Sequence, residues 1–145
     1  MQILHTTKLD SQVYQDALAI RKAVFVQEQH VSLADEIDQN EAQACHFVGY
    51  LAQHPIATAR LLPINPTTYH IQRVAIIRSQ RGNHFGRQLF QALENYARRQ
   101  KHFHLTLNAQ DQAIGFYQRL GFHVTQRPGF MDAGIPHHEM QKQLV

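Results

Sequence analysis

The stretch "RVAIIRSQRGNHFGRQLF", residues 73–90, constrains the fold of this chain more than any other. Its first part is apolar and β-branched, the composition of a strand. After the turn, Phe85, Leu89, Ala92, Leu93 and Tyr96 recur at helical spacing, the inner face of a long helix. Gly82 and Gly86 bracket the short turn between them, so a strand passes directly into a helix that packs back on the sheet. Such a turn also presents backbone N–H groups and the positive end of a helix to anions. Its middle carries His84, a bulky residue where phosphate loops usually need a small one.

The other segments fit around that unit. Ser11 is a candidate N-cap, and Val13, Ala17, Ile20 and Val24 then fall on one helical face. From Gln29 to Glu41 the periodicity lapses into a polar stretch with Asp35, Glu36, Asp38 and Glu41, which predicts a solvated loop. "HFVGYLA" and "IATARLL" read as an antiparallel pair joined at "QHP". "FHLTLNA" is a further strand, and "QDQAIGFYQRL" a short helix with Ala113, Phe116, Tyr117 and Leu120 on one face. Gly121 stands where a helix end wants a left-handed residue, with Phe122 placed for the capping contact. "FHVTQ" and "HHEMQKQLV" close the chain as two strands around the loop "RPGFMDAGIP". The expected class is α/β, a mixed sheet with helices packed on its faces.

With 145 residues and no repeat, low-complexity tract or Gly/Ser linker, one domain over residues 1–145 is expected. Hydrophobic residues make up 43% of the chain, yet no apolar run is long enough to cross a bilayer, so no membrane partner is expected. The start, "MQILHTTKLD", lacks the basic-then-apolar layout of a signal peptide. A lone cysteine, Cys45, cannot form an internal disulfide, which favours a reducing, cytoplasmic setting. The formal charge of +3 suits a small polyanion without demanding nucleic acid. "ARRQKH" reads as a basic helix end that complements the helix dipole, not as a nucleic-acid patch. His102 and His104 share a strand face but lack a matching carboxylate or cysteine pair, so no metal is expected.

Two phosphate loops are excluded. Arg87 and Gln88 follow Gly86 where a nucleotide-hydrolase loop needs Lys and Ser/Thr, and the dinucleotide fingerprint needs a third glycine. Instead, residues 73–90 resemble the acyl-CoA-binding motif of the GNAT superfamily of CoA-dependent N-acyltransferases, Gln/Arg-x-x-Gly-x-Gly/Ala. Arg81 and Gly86 match it, and His84 takes the central glycine position. "LNAQDQAIGFYQRLGF" resembles the second signature, a short helix ending in Phe-Tyr-x-x-Leu-Gly-Phe, with Gln110 and Ala113 where Asn and Ala are usual. "RKAVFVQEQ" and "GFMDAGIPHHEM" look like the ElaA-type branch, so the resemblance spans the whole chain in order. It implies a mostly antiparallel sheet splayed after the fourth strand, with helices on both faces. It also implies acetyl-CoA as acyl donor, no metal, an amine acceptor and a homodimer formed through sheet edges. The diphosphate would bind the amides of Arg81, Gly82, Asn83, His84, Phe85 and Gly86, with Arg81 adding charge-assisted bonds. The pantetheine arm would pair with Val74, Ala75 and Ile76, with Gln110 and Tyr117 completing the donor site.

Tyr117 is the candidate general acid for the departing thiolate, against the simpler reading of a half-buried aromatic on an amphipathic helix. Glu28 and His137 are candidate bases for the attacking amine. Their structural readings are a partner for Arg21 and a hydrogen-bonded strand residue; His46 is a further candidate. The activity implied is transfer of acetyl from acetyl-CoA to a primary amine of a small molecule, or to an exposed amino group, by direct attack. The alternative is a non-catalytic acyl-CoA-binding sensor or interaction module, and Tyr117 argues for chemistry because binding alone would tolerate phenylalanine. "RKAVFVQEQ" is also similar to the start of acyl-homoserine lactone synthases, which are longer and lack this phosphate-loop match.

Overall fold

A computed structural model describes all 145 residues. Strand β1 (Gln2–Thr6) leads to helix α1 (Gln12–Arg21), where the Ser11 hydroxyl accepts from the Tyr14 amide at 3.2 Å as the N-cap. The chain continues in wider π-type turns over Lys22–Glu28, closed by Gln29 N–H donating to Val24 O at 3.0 Å. A single helical turn, α2 (Leu33–Glu36), precedes β2 (Cys45–Leu51) and β3 (His54–Asn65). Their hairpin turns at Ala52 and Gln53, both at positive φ, rather than at "QHP". Next come β4 (Thr68–Ile76), α3 (Phe85–Arg99), β5 (His104–Gln110) and α4 (Ile114–Arg119). Strands β6 (His123–Val124), β7 (Phe130–Asp132) and β8 (Ile135–Gln143) finish the chain. The segment expected to be a plain loop therefore contains β7, a hairpin partner of β8 that turns through Ala133 and Gly134, both at positive φ.

The sheet runs β1-β2-β3-β4-β5-β8-β6, with β7 also on β8. Every pairing is antiparallel except β4 with β5. That parallel pairing covers only Thr68–Ile71 against His104–Leu107, although β4 runs on to Ile76 and β5 to Gln110. The two strands diverge there, and the sheet is splayed after its fourth strand. Leu89, Phe90, Leu93 and Ala97 of α3 pack with Phe47, Leu61, Leu105, Leu107 and Phe122 on one face. Ala17, Ile20 and Val24 cover Val48 and Ala75 on the other. Each such Leu, Ile or Phe contributes about 1.5–3 kcal/mol on burial. No helix is long and apolar enough to cross a membrane.

The acidic stretch is not a solvated loop. Arg21 and Arg60 are each 1% exposed, and a buried guanidinium requires paired counter-charge. Arg21 Nε lies 2.6 Å from Glu36 Oε2, and its Nη1 lies 2.7 Å from Glu41 Oε1. Arg60 reaches Glu41 Oε2 and Asp38 Oδ2, each at 2.8 Å. Residues 35–41 fold inward to supply those carboxylates.

Candidate active site

The opening between β4 and β5 is sharpened by a bulge in β4. Arg60 pairs with Gln72 and Thr58 with Ala75, so Arg73 and Val74 together oppose Ala59, and Arg73 adopts φ 58. The Arg73 side chain is held against the acidic stretch, its Nε 3.0 Å from Glu36 and its Nη2 3.2 Å from Asp38. Past the bulge, Ile77 N–H donates to Ile56 O at 2.9 Å, toward β3. By the alternation of an antiparallel ladder, the N–H and C=O of Ile76 face the opening instead. Ala75 pairs back to Thr58 and packs beneath α1, so Val74 and Ile76 are the members of that trio turned toward the opening.

A cleft of about 560 Å³ occupies this opening. Val74, Gln110, Tyr117 and His137 line it together, with Phe25 and Gln29 contributed by the π-type turns. Gln110 Nε2 donates to Gln29 Oε1 at 3.5 Å, bridging β5 to the end of the first helical segment. Tyr117 is placed by the way α4 ends. Gly121, at φ 94, lets Phe122 N–H reach Tyr117 O and Gly121 N–H reach Gln118 O, both at 3.0 Å. This is the expected left-handed cap, and its hydrophobic contact is Phe122 against Tyr117, ring centroids 6.1 Å apart. Burial alone pushes the Tyr117 phenol up to about 12, so it stays protonated at neutral pH.

His137 comes from β8 and is 8% exposed. Its Nδ1 lies 2.7 Å from Ile135 O, and a carbonyl can only accept, so Nδ1 carries the proton. In the neutral ring Nε2 is then the nitrogen with the lone pair. The ring stacks on Phe130 at 5.8 Å and 17°, which fixes its plane.

The glycine turn lies at the other end of β4. Gly82 has φ 83, and His84 adopts φ 63 and ψ 17, a region histidine tolerates better than most residues. The His84 ring is exposed, while its carbonyl accepts the first helical bond of α3 from Gln88 N–H. The first-turn amides of Phe85, Gly86 and Arg87 have no intrahelical acceptor, as at any helix start. Asn83 is exposed and Phe85 is half-buried against the core. A Cβ on Gly86 would stand 2.8 Å from Phe116 Cζ, so helix packing requires this glycine. The Arg81 side chain turns away to Glu28, with Nη1–Oε2 at 2.7 Å and Nη2–Oε1 at 3.0 Å. Those hydrogen bonds hold the Glu28 carboxyl below its usual range. Glu28 is paired with Arg81 rather than Arg21, and it does not line the cleft.

The profile of the Acetyltransferase (GNAT) domain family matches residues 9–144. The chain belongs to that family. YjcF of Bacillus subtilis (strain 168) is 35% identical, over 88% of this chain and 90% of its own. A crystal structure from Lactobacillus plantarum superposes with a TM-score of 0.90 at 32% identity, covering 99% of this chain and 98% of that one. Escherichia coli ElaA superposes with a TM-score of 0.83 at 29% identity, covering 98% and 97%.

Within this GNAT fold, two features of the site escape the sequence reading. One is the bulge at Arg73, which no glycine announces. The other is the ion cluster behind it, although Arg60 inside the apolar "IATARLL" and Arg21 four residues after Ala17 are charges on buried faces that called for partners. His46 also belongs to this structural cluster, its Nε2 2.8 Å from Glu41 O. His102 and His104 are separated: His102 stacks on Tyr69 at 4.1 Å, and His104 lies 3.1 Å from Gln141.

Proposed function

We propose that this GNAT protein moves an acetyl group from acetyl-CoA to a primary amine of a small molecule, or to an exposed amino group, by direct attack. One observation carries the reading: Tyr117 and the lone-pair nitrogen of His137 share a cleft that runs along the open edge of β4. The loop amides bind the diphosphate, Val74 and Ile76 pair with the pantetheine arm, and N–H groups near the bulge polarise the thioester carbonyl. The amine nitrogen attacks the carbonyl carbon, forming C–N and breaking C–S. His137 Nε2 takes the proton released by nitrogen, and Tyr117 gives its phenolic proton to the departing sulfur. Proton return from His137 to Tyr117 through solvent restores both groups, leaving an N-acetyl product and free CoA thiol. His137 is assigned the base because Glu28 is already held by Arg81. The proposed location is the cytoplasm, where Cys45 stays reduced.

A library of amines incubated with acetyl-CoA, with free thiol as readout, tests the proposal. At least one amine is expected to release thiol well above the amine-free rate. Acetyl-CoA binding with no amine-dependent release across the library would instead support the sensor reading.

A further inference from the structure

Arg81 opens the glycine turn, and its charge invites assignment to the diphosphate. Its guanidinium is committed elsewhere. Nη1 and Nη2 form a two-pronged contact with Glu28, at 2.7 and 3.0 Å, and Nε donates to Ile76 O at 2.9 Å. The fork to Glu28 fixes the guanidinium plane, and that plane aims Nε at the strand. Ile76 O is a carbonyl turned into the opening, because the next amide, Ile77 N–H, bonds to β3. Arg81 thus caps the last carbonyl on the open edge of β4 and leaves Ile76 N–H facing the opening. The ion pair lies at the surface, with Arg81 exposed and Glu28 half-buried, so its loss should cost little folding stability.

We propose that Glu28 and Arg81 are a positioning pair for the pantetheine arm of the donor. By capping Ile76 O, they set where the arm stops pairing with β4 and turns toward the glycine loop. Arg81 is then no diphosphate ligand, and Glu28 is no base. The diphosphate is left to the backbone amides of residues 82–87. This inference rests on the acyl-CoA reading above. Its chemistry is particular to arginine: lysine keeps the charge but has neither the planar fork nor an Nε to aim.

The test compares acetyl-CoA with S-acetylpantetheine, which lacks the diphosphate and nucleotide, in Arg81→Ala, Arg81→Lys and Glu28→Gln. KM is measured with an amine found in the library, and Kd for CoA and pantetheine by calorimetry. All three variants are expected to raise KM and Kd roughly ten- to a hundred-fold for both donors, as misplacement of the arm predicts. Arg81→Lys should behave like Arg81→Ala, and the shape of kcat against pH should be the parent's in Glu28→Gln. A loss confined to the diphosphate-bearing donor, or a rescue by lysine, would show that Arg81 acts on phosphate and overturn the proposal. Unchanged KM and Kd in all three would overturn it equally. If the parent protein binds neither CoA nor pantetheine, the acyl-CoA reading itself fails and takes this inference with it.

Discussion

In the proposed reaction Tyr117 and His137 act through single atoms, and each makes a separable prediction. Tyr117→Phe removes the hydroxyl but keeps the ring against Phe90 and Phe122. We expect kcat to fall roughly 10²–10⁴-fold. Acetyl-CoA Kd should barely move, because an interaction used only in the transition state does not weaken ground-state binding. Calorimetry beside steady-state kinetics checks the split, and equal losses in both would make Tyr117 a packing residue. For His137, the proposed proton transfer needs the Nε2 lone pair that the Nδ1–Ile135 contact leaves free. His137→Gln keeps a polar side chain without that nitrogen and should lower kcat while acetyl-CoA Kd barely moves; an unchanged kcat would clear His137 of the role. The place of Tyr117 in the cleft was legible in the sequence because Phe-Tyr-x-x-Leu-Gly-Phe marks it. The tautomer of His137 was not, since it depends on the carbonyl of Ile135 and on the hairpin that presents it.

The end of α4, as the element that holds Tyr117, should couple stability to the proposed activity. Gly121→Ala places a Cβ at φ 94 and 3.2 Å from Lys142 Cε and Nζ. We expect a loss of about 1–2 kcal/mol in denaturant unfolding, the strain of a left-handed alanine. The variant should also lose kcat, because the cap that holds Tyr117 O would shift. Unchanged stability and turnover would mean that the cap does not position Tyr117. This terminus was legible, since glycine after an amphipathic run has one common explanation. The β2–β3 turn was misplaced because Ala52 and Gln53 carry none of the glycine or asparagine chemistry usual at positive φ. There the paired strands impose the turn. The same holds for β7, whose short run gains its pairing only from β8, and for the π-type turns that bring Phe25 and Gln29 to the cleft.

The whole molecule is tied together by charges distant in sequence, which is why the stretch 35–41 misread as solvated. Burial pushes the Glu41 carboxyl up, but hydrogen bonds from Arg21 and the Asp38 amide, with the charges of Arg21 and Arg60, outweigh it and hold it well below the usual range. A carboxylate with a depressed folded pKa stabilises fully above its unfolded value, about 4.3. That stabilisation is lost as pH falls from there through the folded pKa. Glu41→Gln should therefore cost about 3–5 kcal/mol near neutrality, because it leaves buried guanidinium charge unpaired. It should also flatten the acid limb of stability, read by denaturant titrations between neutral and acid pH; a parent-like acid limb would assign the dependence elsewhere. The loop was legible because strand–turn–helix patterning is local, and the splay only through the family resemblance, whereas this cluster and the cleft it backs form only when α1, β3 and β4 meet. The proposed activity turns on donor recognition at that splay. Calorimetric titration of acetyl-CoA into the parent protein tests it most directly. One saturable site per chain is the predicted result, and the absence of binding heat at millimolar acetyl-CoA across several temperatures would contradict it.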